Sequence, residues 1–341
     1  MSWPAIRGHA AVWQLFLNAV QQNRLGQAYL LVGPEGIGKK RLAYALAQAL
    51  LCPQPPALLT ACNRCPACAQ VAAATHPDLL VLRTPAGKQE LPVAAMREFC
   101  AHLALTPVRG SRKIGIVEDA DDFNDESANA FLKTLEEPPP GTLLLLVATS
   151  TDRLLPTILS RCQVVRCAAL SEADLIAILE QHGIGDAPQR SRLARLAGGS
   201  AARAVALADP AFATFRRQLL EGLLSPRPDF RSLAALWTQF HDEAGKDSAA
   251  QRTRAALVLQ MLIDTLRHAL KLSLGATVSD LEAAELLRLK AFAERLGTAR
   301  LMELLEQCLQ ADHYVERRVQ LILVVEAIVA QFTANRVPPG P

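Results

Sequence analysis

The sequence predicts an α/β phosphate-loop domain followed by an all-helical region, and three observations carry that prediction. Strand-like and helix-like segments alternate between residues 28 and 166, the order from which a parallel sheet with covering helices is built. After the first strand, Gly33-Pro34-Glu35-Gly36-Ile37-Gly38-Lys39-Lys40 makes a glycine-rich turn that opens a helix. Backbone N–H groups and the helix dipole at such a turn gather phosphate. Beyond Cys167 the chain is almost wholly helical, with Leu, Ile and Val at three- and four-residue spacing.

Composition sets the class. A chain of 341 residues, half of them hydrophobic and a fifth charged, has room for two or three domains and a sizeable core. No apolar run approaches the roughly 20 residues of a spanning helix, so no membrane partner is expected. The opening Met1-Ser2-Trp3-Pro4 lacks a basic-then-apolar export pattern, and the expected location is cytoplasmic. A net charge of +3 is too small for nucleic-acid binding by bulk electrostatics. Eight cysteines in a reducing compartment do not read as a disulfide framework.

Taken in order, Val12, Leu15, Phe16, Ala19 and Val20 recur at helical spacing and predict an amphipathic helix over 9–23. Ala28–Val32 is the first strand, and the helix over 38–51 carries the loop at its start. A complete nucleotide loop is G-x-x-x-x-G-K followed by Ser or Thr, whose hydroxyl holds Mg²⁺. Gly33, Gly38 and Lys39 fit, Gly36 eases the turn, and Lys40 stands where the hydroxyl belongs. That exchange removes a metal ligand and adds positive charge near the ion's place. The cradle signal is strong and the hydrolysis signal is damaged.

Cys52 and then Cys62-Asn63-Arg64-Cys65-Pro66-Ala67-Cys68 follow. Three thiols at this spacing reach one ion from a compact knuckle, and Cys52, at the end of the preceding helix, supplies a fourth. Four thiolates suit tetrahedral structural Zn²⁺, which would staple a loop too poor in apolar residues to fold alone. A redox C-x-x-C and an iron–sulfur cluster are the alternatives. Cys100, Cys162, Cys167 and Cys308 are scattered and read as small core residues.

Further strands are expected over 78–82, Lys113–Val117, 142–149 and Gln163–Arg166, with helices over 93–104 and Asp125–Glu136. Glu118 and Asp119 close the third strand, where phosphate-loop ATPases hold Mg²⁺ and the attacking water. The usual order is Asp then Glu, so helix capping or solvation competes with that role. Thr149 or Ser150, at the tip of the fourth strand, offers a hydroxyl to a phosphate or to a helix cap. Arg161, within Ser160-Arg161-Cys162, reads by itself as a solvated charge or a carboxylate partner. Later helices are expected over 172–182, opened by the Ser171/Asp174 capping pair, over 189–197, after the N-cap Ser200, and over 253–274, 282–295 and 315–332.

Three stretches resemble, in this order, the clamp-loader subunits of bacterial DNA polymerase III, which are AAA+ proteins. They are Thr75-His76-Pro77-Asp78, Asn129-Ala130-Phe131-Leu132-Lys133-Thr134-Leu135-Glu136-Glu137-Pro138-Pro139 and Ser160-Arg161-Cys162. The inserted cysteines and the altered loop resemble the delta-prime branch more than the gamma/tau motors. The resemblance is dense from Gln27 to Cys167. It implies an AAA+ domain over 1–167 with a zinc module at 52–68, a three-helix lid over 168–208, a helical collar for oligomerisation over 209–335 and a mobile tail at 336–341.

The resemblance also implies roles. Arg161 reaches in trans into the ATP site of a neighbouring motor subunit, and Cys52, Cys62, Cys65 and Cys68 bind zinc. Gly33, Gly36, Gly38, Lys39, Lys40, Glu118, Asp119 and Thr149 form a nucleotide pocket that is commonly vestigial in this branch. Arg203 falls where a lid arginine touches phosphates, and whether ATP or ADP is held is left open. Implied partners are gamma/tau motor subunits, a delta subunit and, through the assembly, the sliding clamp and primed DNA. Neither polymerase nor ATPase activity is expected of this chain alone. Two readings compete: a motor ATPase using Lys39, Glu118 and Asp119, and a zinc-stabilised DNA-binding scaffold.

Overall fold

Five parallel strands organise the first part of the chain: β1 (Ala28–Val32), β2 (Leu79–Leu82), β3 (Lys113–Val117), β4 (Thr142–Ala148) and β5 (Gln163–Arg166). They lie side by side in the order β2-β3-β4-β1-β5, with Ala28 opposite Leu144 and Tyr29 opposite Gln163. The structure, a computed structural model, describes residues 6–334 apart from 86–87, 89, 111, 244–247, 279–280, 282 and 317–319. The tail expected at 336–341 lies outside the described residues. The chain separates into two compact units, Met1–Val205 and Ala206–Pro341.

β1, β3 and β4 are buried at every residue, which is why they read as unbroken apolar runs: helices cover both faces of the sheet. Those helices are α1 (Ala10–Gln21), α2 (Lys39–Leu51), α4 (Val93–Leu103), α5 (Asp125–Glu136) and the short α6 (Pro156–Leu159), while α3 (Pro66–Ala72) packs against α2. β5 is an edge and buries only Val165. On α5, Asn124 Oδ1 accepts from the Ser127 N–H at 2.8 Å and Ser127 Oγ accepts from the Asn124 N–H at 3.1 Å. This reciprocal cap fixes the helix start, and Ala128, Phe131 and Leu135 form its buried face.

The Thr75-His76-Pro77-Asp78 motif works as a clamp. Asp78 is fully buried, and its carboxylate accepts from the Val108 N–H at 2.6 Å and the Arg109 N–H at 2.8 Å. The Asp78 N–H in turn donates to His76 Nδ1 at 3.1 Å. The loop before β3 is thereby tied to the start of β2. An Asp78→Ala variant strands two amides and should lose about 2 kcal/mol or more. Urea melts check this, and an unmoved midpoint would mean that other contacts hold the loop.

Three helices complete the first unit and cross into the second: α7 (Glu172–Gln181), α8 (Ala187–Leu196) and α9 (Ala201–Leu207). Ser171 Oγ accepts the Asp174 N–H at 3.1 Å, as the capping pair predicts. α8 begins two residues before the expected 189, because Asp186 caps it and Pro188 sits in its first turn.

The second unit contains α10 (Pro210–Leu223), α11 (Phe230–Asp242), α12 (Ser248–Ser273), α13 (Ala283–Glu316) and α14 (Leu321–Thr333). Trp237, Phe212, Phe215 and Phe240 centre its core, with Phe215 and Phe240 stacked at 4.1 Å between ring centroids. Two expected helices are corrected here. The one over 282–295 runs on through a break at Gly297 (φ 72°, ψ 163°) to Glu316, a conformation open to glycine almost alone. The one over 315–332 divides: Val315 still belongs to α13, and α14 starts at Leu321. Among the described residues no helix is long and apolar enough to cross a membrane.

Candidate functional site

The loop between β1 and α2 lies at the carboxyl edge of the sheet, where open α/β sheets bind ligands. Gly36 (φ 75°) and Gly38 (φ 99°) adopt left-handed conformations. A Cβ on Gly36 would lie 2.2 Å from Ser200 Oγ, and one on Gly33 would lie 2.2 Å from the Cys167 carbonyl oxygen. Only glycine allows these approaches. The loop's own carbonyls are well supplied with donors. Lys39 Nζ donates to the oxygens of Gly33 and Pro34, both at 2.6 Å, and His9 Nε2 contacts the Ile37 oxygen at 2.8 Å. The Ala202 N–H, at the start of α9, donates to the Gly36 oxygen at 3.1 Å. Burial lowers the Lys39 pKa, against the raising influence of Asp121.

Lys40 faces the carboxylates that follow β3. Its Nζ lies 2.7 Å from Asp119 Oδ1 and 3.5 Å from Glu118 Oε2. Tyr44, one helical turn on, donates its hydroxyl to Glu118 Oε1 at 2.7 Å, and its own pKa is raised by burial and by that carboxylate. Burial works to lower the Lys40 pKa, but the Asp119 hydrogen bond and the two carboxylates outweigh it and raise the pKa. Next to this pair, Asp121 Oδ2 accepts the Thr149 N–H at 2.7 Å. The contact at Thr149 is thus made by its backbone. Arg203 follows Ala202 in α9, and Ser200 Oγ accepts its N–H at 3.2 Å.

The four knuckle cysteines come together as a separate cluster. The sulfurs of Cys52, Cys62, Cys65 and Cys68 lie within 4.8 Å of one another, and those of Cys62 and Cys68 are 3.9 Å apart. Four thiolates around an ion at about 2.3 Å would be about 3.8 Å apart, so the donor set and its spacing can hold a tetrahedral metal. Cys65 caps α3 through its sulfur, which accepts the Cys68 N–H at 3.4 Å. Gln48, on α2, donates to the Cys68 oxygen at 2.9 Å. The Arg64 backbone N–H draws the Cys62 thiol down to about 6, while burial pushes Cys68 up. Among the described residues the buried cluster around the sulfurs is Cys52, Ala61 and Cys68, and Leu59 and Val71 are buried nearby in the chain, a small core that a metal staple would reinforce.

Arg161 is placed elsewhere. It precedes β5, whose far end pairs level with Val32 at the loop. Four strand residues at about 3.3 Å each put it about 13 Å away, at the amino edge of the sheet. Cys162 is buried and anchors the segment, whereas the Arg161 side chain is a third exposed. Its guanidinium donates to Glu136 Oε1 at 2.5 Å, the Thr157 oxygen at 2.9 Å and Ser160 Oγ at 3.1 Å. Glu136 ends α5, so two of the three resembling motifs meet in this ion pair.

The residues that sequence reasoning missed are Tyr44, His9, Asp121 and Glu136. The carboxylates of Asp121 and Glu136 were visible in their motifs. His9 and Tyr44 carried no signal beyond helical spacing.

Comparison with known proteins gives a consistent result. The family model described as DNA polymerase III, delta subunit, matches residues 8–171. DNA polymerase III subunit delta′ of Pseudomonas aeruginosa is 32% identical over 92% of this chain and 93% of its own length. The Escherichia coli subunit delta′ is 36% identical over 55% of this chain and 56% of that protein. A gamma subunit-related protein from Thermotoga maritima, solved as a crystal structure, shares 18% identity over 93% of this chain and 98% of that one, with a TM-score of 0.48. The resemblance read from the motifs is borne out by full-length similarity, and the chain belongs to the delta-prime family of DNA polymerase III clamp-loader subunits.

Proposed function

We propose that the chain supports the clamp loader without hydrolysing ATP itself, and that Arg161 completes the ATP site of a neighbouring gamma/tau motor subunit. The observation that carries this reading is the separation of Arg161 from the chain's own loop: it lies at the opposite edge of the sheet, partly exposed, on an anchored turn. Any phosphate it meets belongs to another chain. A guanidinium presents several fixed donors to the charge that spreads over a transferring phosphoryl group. The Lys40 ammonium on Glu118 and Asp119 weighs against the competing motor reading.

In this reading residues 1–167 are the AAA+ domain, 168–208 the lid and 209–335 the collar that joins the motor and delta subunits. The four thiolates hold structural Zn²⁺, and the protein works in the cytoplasm on the sliding clamp and primed DNA through its partners. The test compares the chain alone with an assembly rebuilt from gamma/tau-type and delta subunits, clamp and primed DNA. Alone it should show no Mg²⁺-dependent ATP turnover above background, and adding it should raise turnover of the rest. Robust turnover by the isolated chain would make it a motor instead.

A further inference from the structure

Mg²⁺ does not fit the loop that this chain builds. A hydrolysing loop offers the ion a hydroxyl after its lysine, with carboxylates beyond a neighbouring strand on the other side. Here the hydroxyl position is Lys40, and its Nζ already lies 2.7 Å from Asp119 and 3.5 Å from Glu118. The other Glu118 oxygen accepts from Tyr44 at 2.7 Å. A divalent ion approaching these carboxylates would meet an ammonium first.

We propose that Lys40 is a tethered replacement for the metal ion: it neutralises the acidic end of β3 from within the chain and makes the loop's conformation independent of divalent cation. The proposal rests on the reading of this loop as non-hydrolysing and says how that state is held. Two like charges side by side destabilise each other unless a cation lies between them. In an ATPase that cation arrives with the nucleotide, so the local geometry changes with every turnover. Lys40 is covalently present at all times.

The rest of the loop agrees. The carbonyls of Gly33 and Pro34 are held by Lys39, that of Gly36 by the Ala202 N–H of α9, and that of Ile37 by His9. Donors from three elements, α1's entry, α2 and α9, thus fasten the loop with the chain's own groups.

The experiment uses the full-length chain, with and without added MgCl₂ and with no chelator, so that the thiolate cluster keeps its own ion; hard cations do not compete for thiolates. Thermal melts and Mn²⁺ titrations followed by electron paramagnetic resonance are the readouts. The wild-type midpoint should not move with Mg²⁺. Lys40→Thr should melt lower without metal, recover with Mg²⁺ and bind Mn²⁺ about tenfold or more tighter than wild type, a difference of about 1.4 kcal/mol. Adding Glu118→Gln and Asp119→Asn to Lys40→Thr should erase that gain, and Lys40→Arg should stay indifferent to metal.

Should Lys40→Thr fail to fold without metal, its refolding yield in MgCl₂ supplies the same readout. Wild-type protein that Mg²⁺ stabilises, or that binds Mn²⁺ as tightly as Lys40→Thr, overturns the proposal. Neither readout involves a partner or ATP turnover. A failure here leaves the role of Arg161 standing, and a failure of that role leaves these curves unchanged.

Discussion

Replacing Arg161 by alanine is expected to slow ATP hydrolysis at the adjoining motor site by about 10³-fold or more, the lower end of what an arginine supplied in trans contributes. In barrier terms that is about 4–7 kcal/mol. The size follows from where the charge goes: as the phosphoryl group transfers, negative charge spreads over its oxygens in a site closed to water, and fixed donors act strongly there. The fold should be untouched. Arg161 is a third exposed, its Glu136 partner about half exposed, and such a pair contributes about 1 kcal/mol at most.

The same weakness makes the ion pair exchangeable, so a phosphate can take the guanidinium from Glu136 at little cost. Arg161→Lys keeps the charge and loses the planar fork, and its rate should fall between those of wild type and Arg161→Ala. Equal rates for the lysine and alanine variants would place the whole effect in geometry, and equal rates for lysine and wild type would place it in charge.

Losing the proposed zinc is the second large effect. Structural zinc sites release about 10–16 kcal/mol of apparent binding free energy at neutral pH, much of which is folding energy. Cys65→Ser should therefore lose stoichiometric zinc and unfold the knuckle, with a lower melting midpoint and new protease cuts between Cys52 and Thr75. The sheet core should survive, because Leu30, Phe131, Leu144 and their neighbours form their own apolar cluster. Cys308→Ser is the control: Cys308 is buried in the second unit, and its loss should leave the zinc content intact. Zinc content measured by mass spectrometry decides the matter, and a full complement in Cys65→Ser would remove the four-thiolate assignment.

What was legible in the sequence was local. Ala28–Val32, Lys113–Val117, Asp125–Glu136 and Gln163–Arg166 stand where the sequence pattern puts them, and Ala28–Val32 and Asp125–Glu136 are the sharpest because Gly33 and Pro138 stop them. The cysteine spacing showed its own geometry in the same way. The pairings that give the site its character were not legible: Arg161 meets Glu136 across 25 residues and Tyr44 meets Glu118 across 74. Nothing in a periodicity links them until β3, β4, β1 and β5 are set side by side.

The helical second unit was hardest. Its Leu- and Ala-rich composition keeps helical spacing through breaks, so those at Gly297 and Gln320 passed unseen, and α10 and α11 were not singled out. The short α3, directly after the knuckle, was hidden because Cys65, which the spacing marks as a candidate metal ligand, also caps the helix.

The most direct test of the central claim is single-turnover ATP hydrolysis in size-checked assemblies, one with the wild-type chain and one with Arg161→Ala, with nucleotide binding measured separately. Formation of both assemblies, unchanged ATP affinity and a sharp loss of the hydrolysis step at one site with Arg161→Ala is the predicted result. Equal hydrolysis and equal clamp loading in the two assemblies would contradict it.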